Sequence, residues 1–174
     1  MSTRNLSNYD KDKIPSARGF RVGIVVAEWN DEITGALLDG AIETLKKHGV
    51  FDITVEYVPG SFELIFGSKA LAVSGRVDGV IAIGAIIRGE TPHFDFIAQG
   101  VTYGIAKLNA AVRDNNESAF SIDNLQKTPI IFSVLTTDTY QQAKDRAGGK
   151  LGNKGVEGAI ALIKMMHLSR KYFG

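Results

Sequence analysis

One short segment of this sequence combines residue types that bind anions and move protons. Arg88-Gly89-Glu90-Thr91-Pro92-His93 follows an apolar run and precedes a helical pattern. A glycine turn that opens a helix leaves backbone N–H groups without internal partners, and such a terminus attracts phosphate or carboxylate. Histidine changes its charge near neutral pH, so His93 is a candidate for proton transfer beside that anion. From this segment alone, a capped helix with an incidental histidine is an equal alternative.

Two further segments present groups suited to a planar polar ligand. Val58-Pro59-Gly60-Ser61-Phe62-Glu63 is a junction of strand, turn and helix, where Ser61 fits an N-cap and the backbone offers N–H and C=O groups. An ordinary helix start is the favoured alternative for it. Trp29 follows the first apolar run, where a ring either stacks on a heteroaromatic ligand or covers the edge of the core. His48 and His167 lie on predicted helices and are interpreted as surface or helix-terminal residues.

The elements that position these groups alternate between strand and helix. Short β-branched runs predict strands over 21–27, 53–58, 80–87 and 129–135, and apolar stripes predict helices between 30 and 49 and over 62–72, 95–112, 139–146 and 156–168. This order is typical of an α/β protein with a parallel sheet covered on both faces. In such sheets ligands bind beyond the carboxyl ends of the strands. The predicted functional rim therefore comprises 28–30, 59–63, 88–93 and 136–138.

Composition narrows the class of protein. The chain has 174 residues, a formal charge of +1 and 44% hydrophobic residues, which fits one domain with a substantial core and gives no reason to expect nucleic acid. The absence of cysteine excludes disulfides, thiolate nucleophiles and zinc–cysteine sites. The longest apolar run, 79–87, is too short for a membrane helix, which needs ~20 residues. We expect a cytoplasmic protein that binds no nucleic acid and no membrane.

Two segments stand apart from the alternating pattern. Residues 1–17 are polar and aperiodic, so we predict a flexible arm that orders only against a partner, followed by a single domain over 18–174. Residues 113–127 are too long and polar for a plain connection, and we predict a surface insertion that Phe120, Ile122 and Leu125 anchor. The glycine-rich 148–155 lacks the phosphate-loop spacing, no dinucleotide fingerprint follows the first strand, and no acid or histidine cluster has metal spacing.

Taken together, five segments resemble the lumazine synthase family. They are WNDEIT (29–34), VPGSFEL (58–64), AIGAIIRGETPHFDF (82–96), FSVLTTDT (132–139) and DRAGGKLGNKGVEGA (145–159). They run in the family's order and span 21–166, and the set is highly specific. Two departures are Ile65, where proline is common, and the 113–127 insertion, which is absent or shorter in typical members.

The resemblance implies a three-layer flavodoxin-like fold with a four-stranded parallel sheet. It implies a transferase of riboflavin biosynthesis that condenses 5-amino-6-(D-ribitylamino)uracil with 3,4-dihydroxy-2-butanone 4-phosphate, forming 6,7-dimethyl-8-ribityllumazine, phosphate and water. It implies neither a metal nor an organic cofactor. Amine attack, phosphate loss and ring closure need proton transfer and the placement of two substrates.

The resemblance also assigns residues to roles. His93 matches the family's proton-transfer histidine, and Glu157 matches an acid that orients it. Trp29 matches the ring that stacks on the pyrimidine, a position at which most members have phenylalanine. The residues implied to bind the pyrimidine, the ribityl chain or the phosphate are Asn30, Ser61, Phe62, Glu63, Ala85, Ile86, Ile87, Glu90, Thr91, Phe132, Arg146 and Lys154.

The resemblance further implies an assembly. Phe132 and Arg146 would come from the adjacent subunit, so that a homo-oligomer with sites between subunits, a pentamer, would be the smallest complete catalyst. The short GGKLGN connection (148–153) resembles members that form a 60-subunit icosahedral capsid. Riboflavin synthase is a candidate protein partner. The runner-up is a non-catalytic shell protein on the same fold that binds flavin or lumazine, although such a protein would not need His93, Arg146 and the phosphate-ready turn together. An electron-carrier reading is disfavoured because Glu28-Trp29-Asn30 is poor for phosphate.

Overall fold

A four-stranded parallel sheet forms the centre of the molecule. The computed structural model describes Asn5 and residues 7–110 and 119–174. The strands of the sheet lie in the order β2-β1-β3-β4 and comprise β1 (Arg21–Ala27), β2 (Asp52–Val58), β3 (Gly79–Ile87) and β4 (Ile130–Thr137). The helices are α1 (Asp31–Lys47), α2 (Leu64–Val73), α3 (His93–Asn109), α4 (Ala119–Lys127), α5 (Tyr140–Arg146) and α6 (Lys154–Phe173). The predicted three-layer, flavodoxin-like α/β fold is confirmed.

Successive residues of the central strands bury opposite faces of the sheet. In β1, Val22, Ile24 and Val26 join one apolar cluster, to which α1 and α6 contribute, while Val25 and Ala27 join a second cluster with α2, α3 and α4. Period-2 alternation directs side chains to the two faces in turn, and both faces are covered. The strands consequently read as continuous apolar runs, which is why the sequence predicts them closely.

A backbone contact fixes α6 against α1. A Cβ atom at Gly155 would lie only 1.8 Å from the carbonyl oxygen of Leu37, so only glycine fits there. Asn153 reinforces the contact: its side chain accepts hydrogen bonds from Gly155 N (2.8 Å) and Val156 N (3.3 Å) and donates to Ala36 O (2.8 Å). The helix N-cap and the helix–helix contact therefore share one side chain.

The described part of the predicted N-terminal arm packs on its own domain. Ile14 and Ala17 are buried in the first cluster, and Tyr9 packs against it. The Tyr9 hydroxyl lies 3.3 Å from His48 Nε2, and His167 Nε2 lies 2.9 Å from Ser16 O. Within the described residues of this chain, Tyr9, Ile14 and Ala17 thus contact the core, although they have no regular spacing in the sequence. His48 lies at the C-terminal end of α1, as its interpretation as a helix-terminal residue predicts, and His167 lies within α6.

Two elements differ from the sequence-based expectation. Residues 113–118 of the predicted insertion lie outside the described residues, whereas 119–127 form α4, whose Leu125 is buried in the second cluster. A two-strand antiparallel hairpin, β5 (Ala147–Gly149) and β6 (Gly152–Asn153), separates α5 from α6, where we predicted a plain connection. Within the described ranges, no helix is both long and apolar enough to cross a membrane.

Candidate active site

A cleft of about 440 Å³ opens at the carboxyl edge of the sheet, where β1, β2 and β3 end. This is the edge at which open parallel sheets bind ligands. Ten of the predicted site residues line it: Trp29, Asn30, Ser61, Phe62, Glu63, Ala85, Ile86, Ile87, Thr91 and His93. Three predicted rim segments therefore meet at one place.

The segment after β1 places an aromatic ring and an amide at the cleft. Backbone hydrogen bonds from Glu28 N to Val58 O (2.8 Å) and from Trp29 N to Pro59 O (3.1 Å) extend the β1–β2 pairing beyond the strands. The Trp29 side chain is nevertheless 67% exposed. A Cβ atom at Gly60 would lie 2.7 Å from the Trp29 ring, so glycine allows the ring its position. Because its backbone is held in place and its ring is exposed, Trp29 is suited to stacking on a planar ligand.

Asn30 connects two walls of the cleft. Its backbone adopts the left-handed conformation (φ 61°, ψ 46°), which asparagine tolerates better than most residues. Its Nδ2 donates a hydrogen bond to Ala85 O at 2.9 Å, so the side chain joins the end of β1 to the end of β3. Because that side chain is hydrogen-bonded to β3, it does not cap α1, although asparagine is a common N-cap residue.

The 60–63 turn forms the opposite wall. α2 begins at Leu64, with Glu63 in the N-cap position, so the predicted N-cap role of Ser61 is wrong. Glu63 Oε2 instead accepts a hydrogen bond from Gly60 N at 3.0 Å and closes the turn. Ser61 is buried against β3, since a Cβ atom at Gly84 would lie 2.7 Å from its Oγ. This turn therefore packs closely against β3 and does not use Ser61 to cap α2.

The start of α3 lies in the segment where the sequence predicts an anion-binding helix start. His93 is the first residue of the helix, and Pro92 precedes it without a side-chain cap. Gly89, Thr91 and His93 are exposed at the cleft. Uncapped N–H groups at the start of a 17-residue helix favour an anion there. Glu90 is exposed in the same loop but does not line the cleft.

Besides Glu90, four predicted site residues do not line this cleft. Phe132 is partly buried against the second apolar cluster. Arg146, Lys154 and Glu157 form a separate cluster in which the Glu157 carboxylate lies 3.0 Å from Arg146 NH2 and 3.2 Å from Lys154 Nζ. The Arg146 and Glu157 side chains are only 13% and 10% exposed. In the described part of one chain, Glu157 thus contacts two cations and His93 lies in the cleft without it.

A hydrogen-bonded group joins α1 to α5 near the rim. Glu32, in the first turn of α1, accepts hydrogen bonds from Lys144 Nζ (2.6 Å) and from the Tyr140 hydroxyl. The hydrogen bond from Lys144, followed by that from Tyr140, lowers the pKa of Glu32, and the same carboxylate raises the pKa of Tyr140. α5 itself starts at a capping box formed by Thr139 and Gln142.

Sequence reasoning missed two aromatic and aliphatic walls of the cleft. Phe94 and Ile97 line it from the first turn of α3, together with Gly89. Their spacing of three places them on one helix face with the cleft, a signal that could have identified them. Ile97 is instead part of the stripe that we interpreted as core.

The fold and the cleft together define a flavodoxin-like α/β protein whose cleft, at the carboxyl edge of its sheet, is lined by an exposed aromatic ring and the uncapped start of a helix. Residues 19–170 match the family described as 6,7-dimethyl-8-ribityllumazine synthase. The 6,7-dimethyl-8-ribityllumazine synthase of Phocaeicola vulgatus is 54% identical, with 96% of this chain and 92% of that protein covered. Those of Parabacteroides distasonis and Porphyromonas gingivalis are 50% and 51% identical, each with 95% of this chain and 96% of the relative covered. This chain belongs to the 6,7-dimethyl-8-ribityllumazine synthase family, as its sequence motifs indicate.

Proposed function

We propose that this chain is a transferase of riboflavin biosynthesis that condenses 5-amino-6-(D-ribitylamino)uracil with 3,4-dihydroxy-2-butanone 4-phosphate, giving 6,7-dimethyl-8-ribityllumazine, phosphate and water. The observation that carries the proposal is the meeting of the Trp29 ring, His93 and the uncapped start of α3 in one cleft. Family membership and relatives of about 50% identity that bear this name support it. A site that binds lumazine without turnover is not favoured by these relatives.

The cleft divides into a pyrimidine end and a phosphate end. Trp29 stacks on the ring, and Asn30, 61–63 and 85–87 supply polar and backbone contacts to the ring and ribityl chain. The phosphate lies at 89–91 against the start of α3, where partial positive charge is concentrated. His93, between the two ends, accepts a proton from the attacking amine and delivers one as phosphate leaves.

We propose that a second subunit completes the site. Arg146 supplies a charge-assisted contact to phosphate from the neighbour, with Phe132, Lys154 and Glu157 beside it. The Arg146, Lys154 and Glu157 cluster does not line its own chain's cleft, which is consistent with a role at the cleft of an adjacent subunit. Exposed aromatic side chains on and beside α2 and α3, namely Phe62, Phe66, Phe96 and Tyr103, support a homo-oligomer. A pentamer is the smallest such ring, and a 60-subunit shell is its larger form.

Product formation and phosphate release, measured together, test the reaction. With both substrates present, we expect lumazine absorbance and inorganic phosphate to rise in equal amounts. With the butanone phosphate omitted, neither should rise. Binding of lumazine without phosphate release would favour the shell-protein alternative and refute the enzyme. A cytoplasmic location and an association with riboflavin synthase stay predictions, which cell fractionation and co-purification check.

A further inference from the structure

Arg88, which neither the family resemblance nor the cleft lining assigns to a role, is held by groups from the start of α3 and from the end of β4. Its NH1 and NH2 donate to the two carboxylate oxygens of Asp95 at 3.2 and 3.0 Å, and its Nε donates to Asp138 at 2.9 Å. The guanidinium carbon lies 4.1 Å above the centre of the Phe94 ring. The backbone N–H of Arg88 donates to Thr137 O at 2.9 Å. A planar guanidinium is suited to such a forked and stacked arrangement, which lysine cannot reproduce.

These contacts close the loop that carries the proposed phosphate site. Arg88 immediately follows β3, Asp95 lies in the first turn of α3, and Asp138 immediately follows β4. The Arg88–Asp95 pair therefore joins the two ends of the 89–94 segment, and Asp138 ties it to the neighbouring strand. We call the group formed by Arg88, Asp95 and Asp138 the Arg88 clamp. Residues 89–93 are themselves exposed, so the clamp at their ends determines where they lie.

The charge of the clamp argues against direct anion binding by Arg88. One guanidinium and two carboxylates carry a net charge of −1, and the forked N–H groups are already engaged. The hydrogen bond from Arg88 lowers the pKa of Asp95, and the hydrogen bonds from Asp95 and Asp138 raise the pKa of Arg88, so the Arg88–Asp95 pair stays charged at neutral pH. A group that is negative overall repels phosphate, so any benefit that it brings to phosphate binding must be geometric.

We propose that Arg88 is a positioning residue: by bridging Asp95 and Asp138 it holds 89–93 so that the backbone N–H groups at the start of α3 face the phosphate of the substrate. The proposal rests on the proposed function. It differs from a role as phosphate ligand, because the guanidinium acts through the loop and does not touch the substrate.

The direction in which Asp95→Asn changes the KM for the butanone phosphate separates a positioning role of Arg88 from a role as phosphate ligand. If Arg88 positions the loop, Arg88→Gln and Asp95→Asn both raise the KM for the butanone phosphate by ~10-fold or more, because a small displacement of binding groups is costly. The KM for the pyrimidine should stay within about two-fold, since that end of the cleft is built from other segments. If Arg88 were a ligand, Asp95→Asn would release the guanidinium and lower the KM for the phosphate substrate, which would overturn the proposal. So would an unchanged KM in Arg88→Gln.

Two matched variants complete the test. Arg88→Lys keeps the charge but cannot span both carboxylates, so it should resemble Arg88→Gln, and a parental KM in Arg88→Lys would refute the geometric argument. Arg21→Gln removes a similar forked pair, with Asp78 at 2.8 Å, from the amino end of the sheet, and both KM values should stay parental.

Titration with inorganic phosphate by calorimetry separates failure of this inference from failure of the proposed function. If the parent forms no lumazine, the proposed function fails, yet phosphate affinity in the parent and in Arg88→Gln still reports on the clamp. Weaker phosphate binding in Arg88→Gln and Asp95→Asn supports the inference. Equal binding in parent and both variants contradicts it, whatever the turnover.

Discussion

Trp29 reports on the cleft directly, because it is the chain's only tryptophan and its side chain is 67% exposed. A ring stacked on riboflavin or a lumazine should lose fluorescence. We expect saturable quenching when either ligand is added, after correction for inner-filter absorption. Ribitol, which lacks the ring system, serves as the control and should leave emission unchanged. An unchanged spectrum with riboflavin and with the lumazine would remove Trp29 from the ligand site.

His93 tests mechanism separately from binding. General acid–base help is typically worth ~10²- to 10⁴-fold, whereas placement of two substrates does not depend on this side chain. We expect His93→Ala to lower turnover by roughly ten- to a hundred-fold, with pyrimidine affinity within a few-fold of the parent. Turnover and native mass are measured on the same sample. His48→Ala is the matched control and should keep parental turnover, because His48 lies at the C-terminal end of α1 whereas the cleft lies at the start of that helix. Full activity in an assembled His93→Ala protein would exclude proton transfer by this residue.

At the scale of residues, the cleft could be predicted only in part. Parallel strands bring their carboxyl ends to one edge, so residues that follow the strands, such as Trp29 and Thr91, could be placed together from the sequence. The Arg88 clamp could not, because it needs the β4 end to lie beside the first turn of α3. Ser61 was assigned to a cap because serine commonly caps helices, but packing against Gly84 outweighs that preference.

At the scale of elements, the contact between α1 and α6 gives a sharp test of glycine. An alanine methyl at Gly155 would lie 1.8 Å from Leu37 O, a backbone atom, so the helices must separate. We expect Gly155→Ala to cost ~3 kcal/mol of unfolding free energy, the upper end of the usual range for overpacking. Gly35→Ala in α1 is the matched control, because a Cβ atom there meets nothing within 4 Å. That change should stabilise the chain by ~0.5–1 kcal/mol, as alanine is the better helix former.

Urea unfolding of both variants measures these differences. Equal stability of Gly155→Ala and the parent would show that the close approach of α6 to the Leu37 carbonyl is not obligatory. A loss of stability in Gly35→Ala would show that α1 is covered there by another part of an assembly. The two variants change the same residue type on the two packed helices, so composition does not distinguish them.

Some elements could be predicted because their own sequence carries the signal, whereas others depend on contacts with distant parts of the chain or are too short to show a pattern. β1 and β3 could be predicted because both of their faces are buried, which makes each a continuous apolar run. α4 could not, because its stability depends on Leu125 reaching the second cluster across a polar stretch. The β5–β6 hairpin has strands of only three and two residues, too short for any periodicity. Buried Ile14 and Ala17 likewise lack a periodic context.

For the molecule as a whole, ion pairs set the acid limit of stability. Burial works to raise the pKa of Asp78, but hydrogen bonds and charge from Arg21 outweigh it and lower the pKa. The pKa values of Asp95, Asp145 and Glu32 are also lowered, chiefly by hydrogen bonds from Arg88, Lys150 and Lys144 respectively. A carboxyl group with a lowered folded-state pKa adds stability above its unfolded pKa, about 4, and loses it as the pH falls through the folded value.

We therefore expect these groups to leave the melting temperature unchanged above about pH 5. Below about pH 4, the melting temperature should fall. Asp78→Asn should melt below the parent at pH 7, and the gap between the two curves should shrink as the pH falls below about 4 towards the lowered folded-state pKa of Asp78. Thermal unfolding followed by circular dichroism across this range measures the effect. A constant gap between parent and variant down to pH 3 would show that ionised Asp78 is not the stabilising species.

A mixture of two variants tests whether each site is built from two subunits. Arg146 does not line its own chain's cleft, so Arg146→Ala should weaken the butanone phosphate far more than the pyrimidine, through a neighbouring cleft. His93→Ala and Arg146→Ala damage opposite halves of each proposed site. When the two variants are unfolded, mixed in equal amounts and refolded together, a site is intact only if its cleft comes from Arg146→Ala and its neighbour from His93→Ala. If the two variants occupy the positions of a closed ring at random, about a quarter of the sites are intact. Turnover should then reach about a quarter of the parental value.

Each variant refolded alone supplies the matched control for that mixture. The sum of their separate activities is the value expected if every site is built from a single chain. Native mass of the mixture must show mixed rings, because segregated rings would also give only that sum. Activity that remains at the sum in proven mixed rings would place Arg146 outside the neighbour's site. Recovery towards a quarter would locate both halves of the chemistry at the interface between copies, since no single chain in the mixture carries both His93 and Arg146.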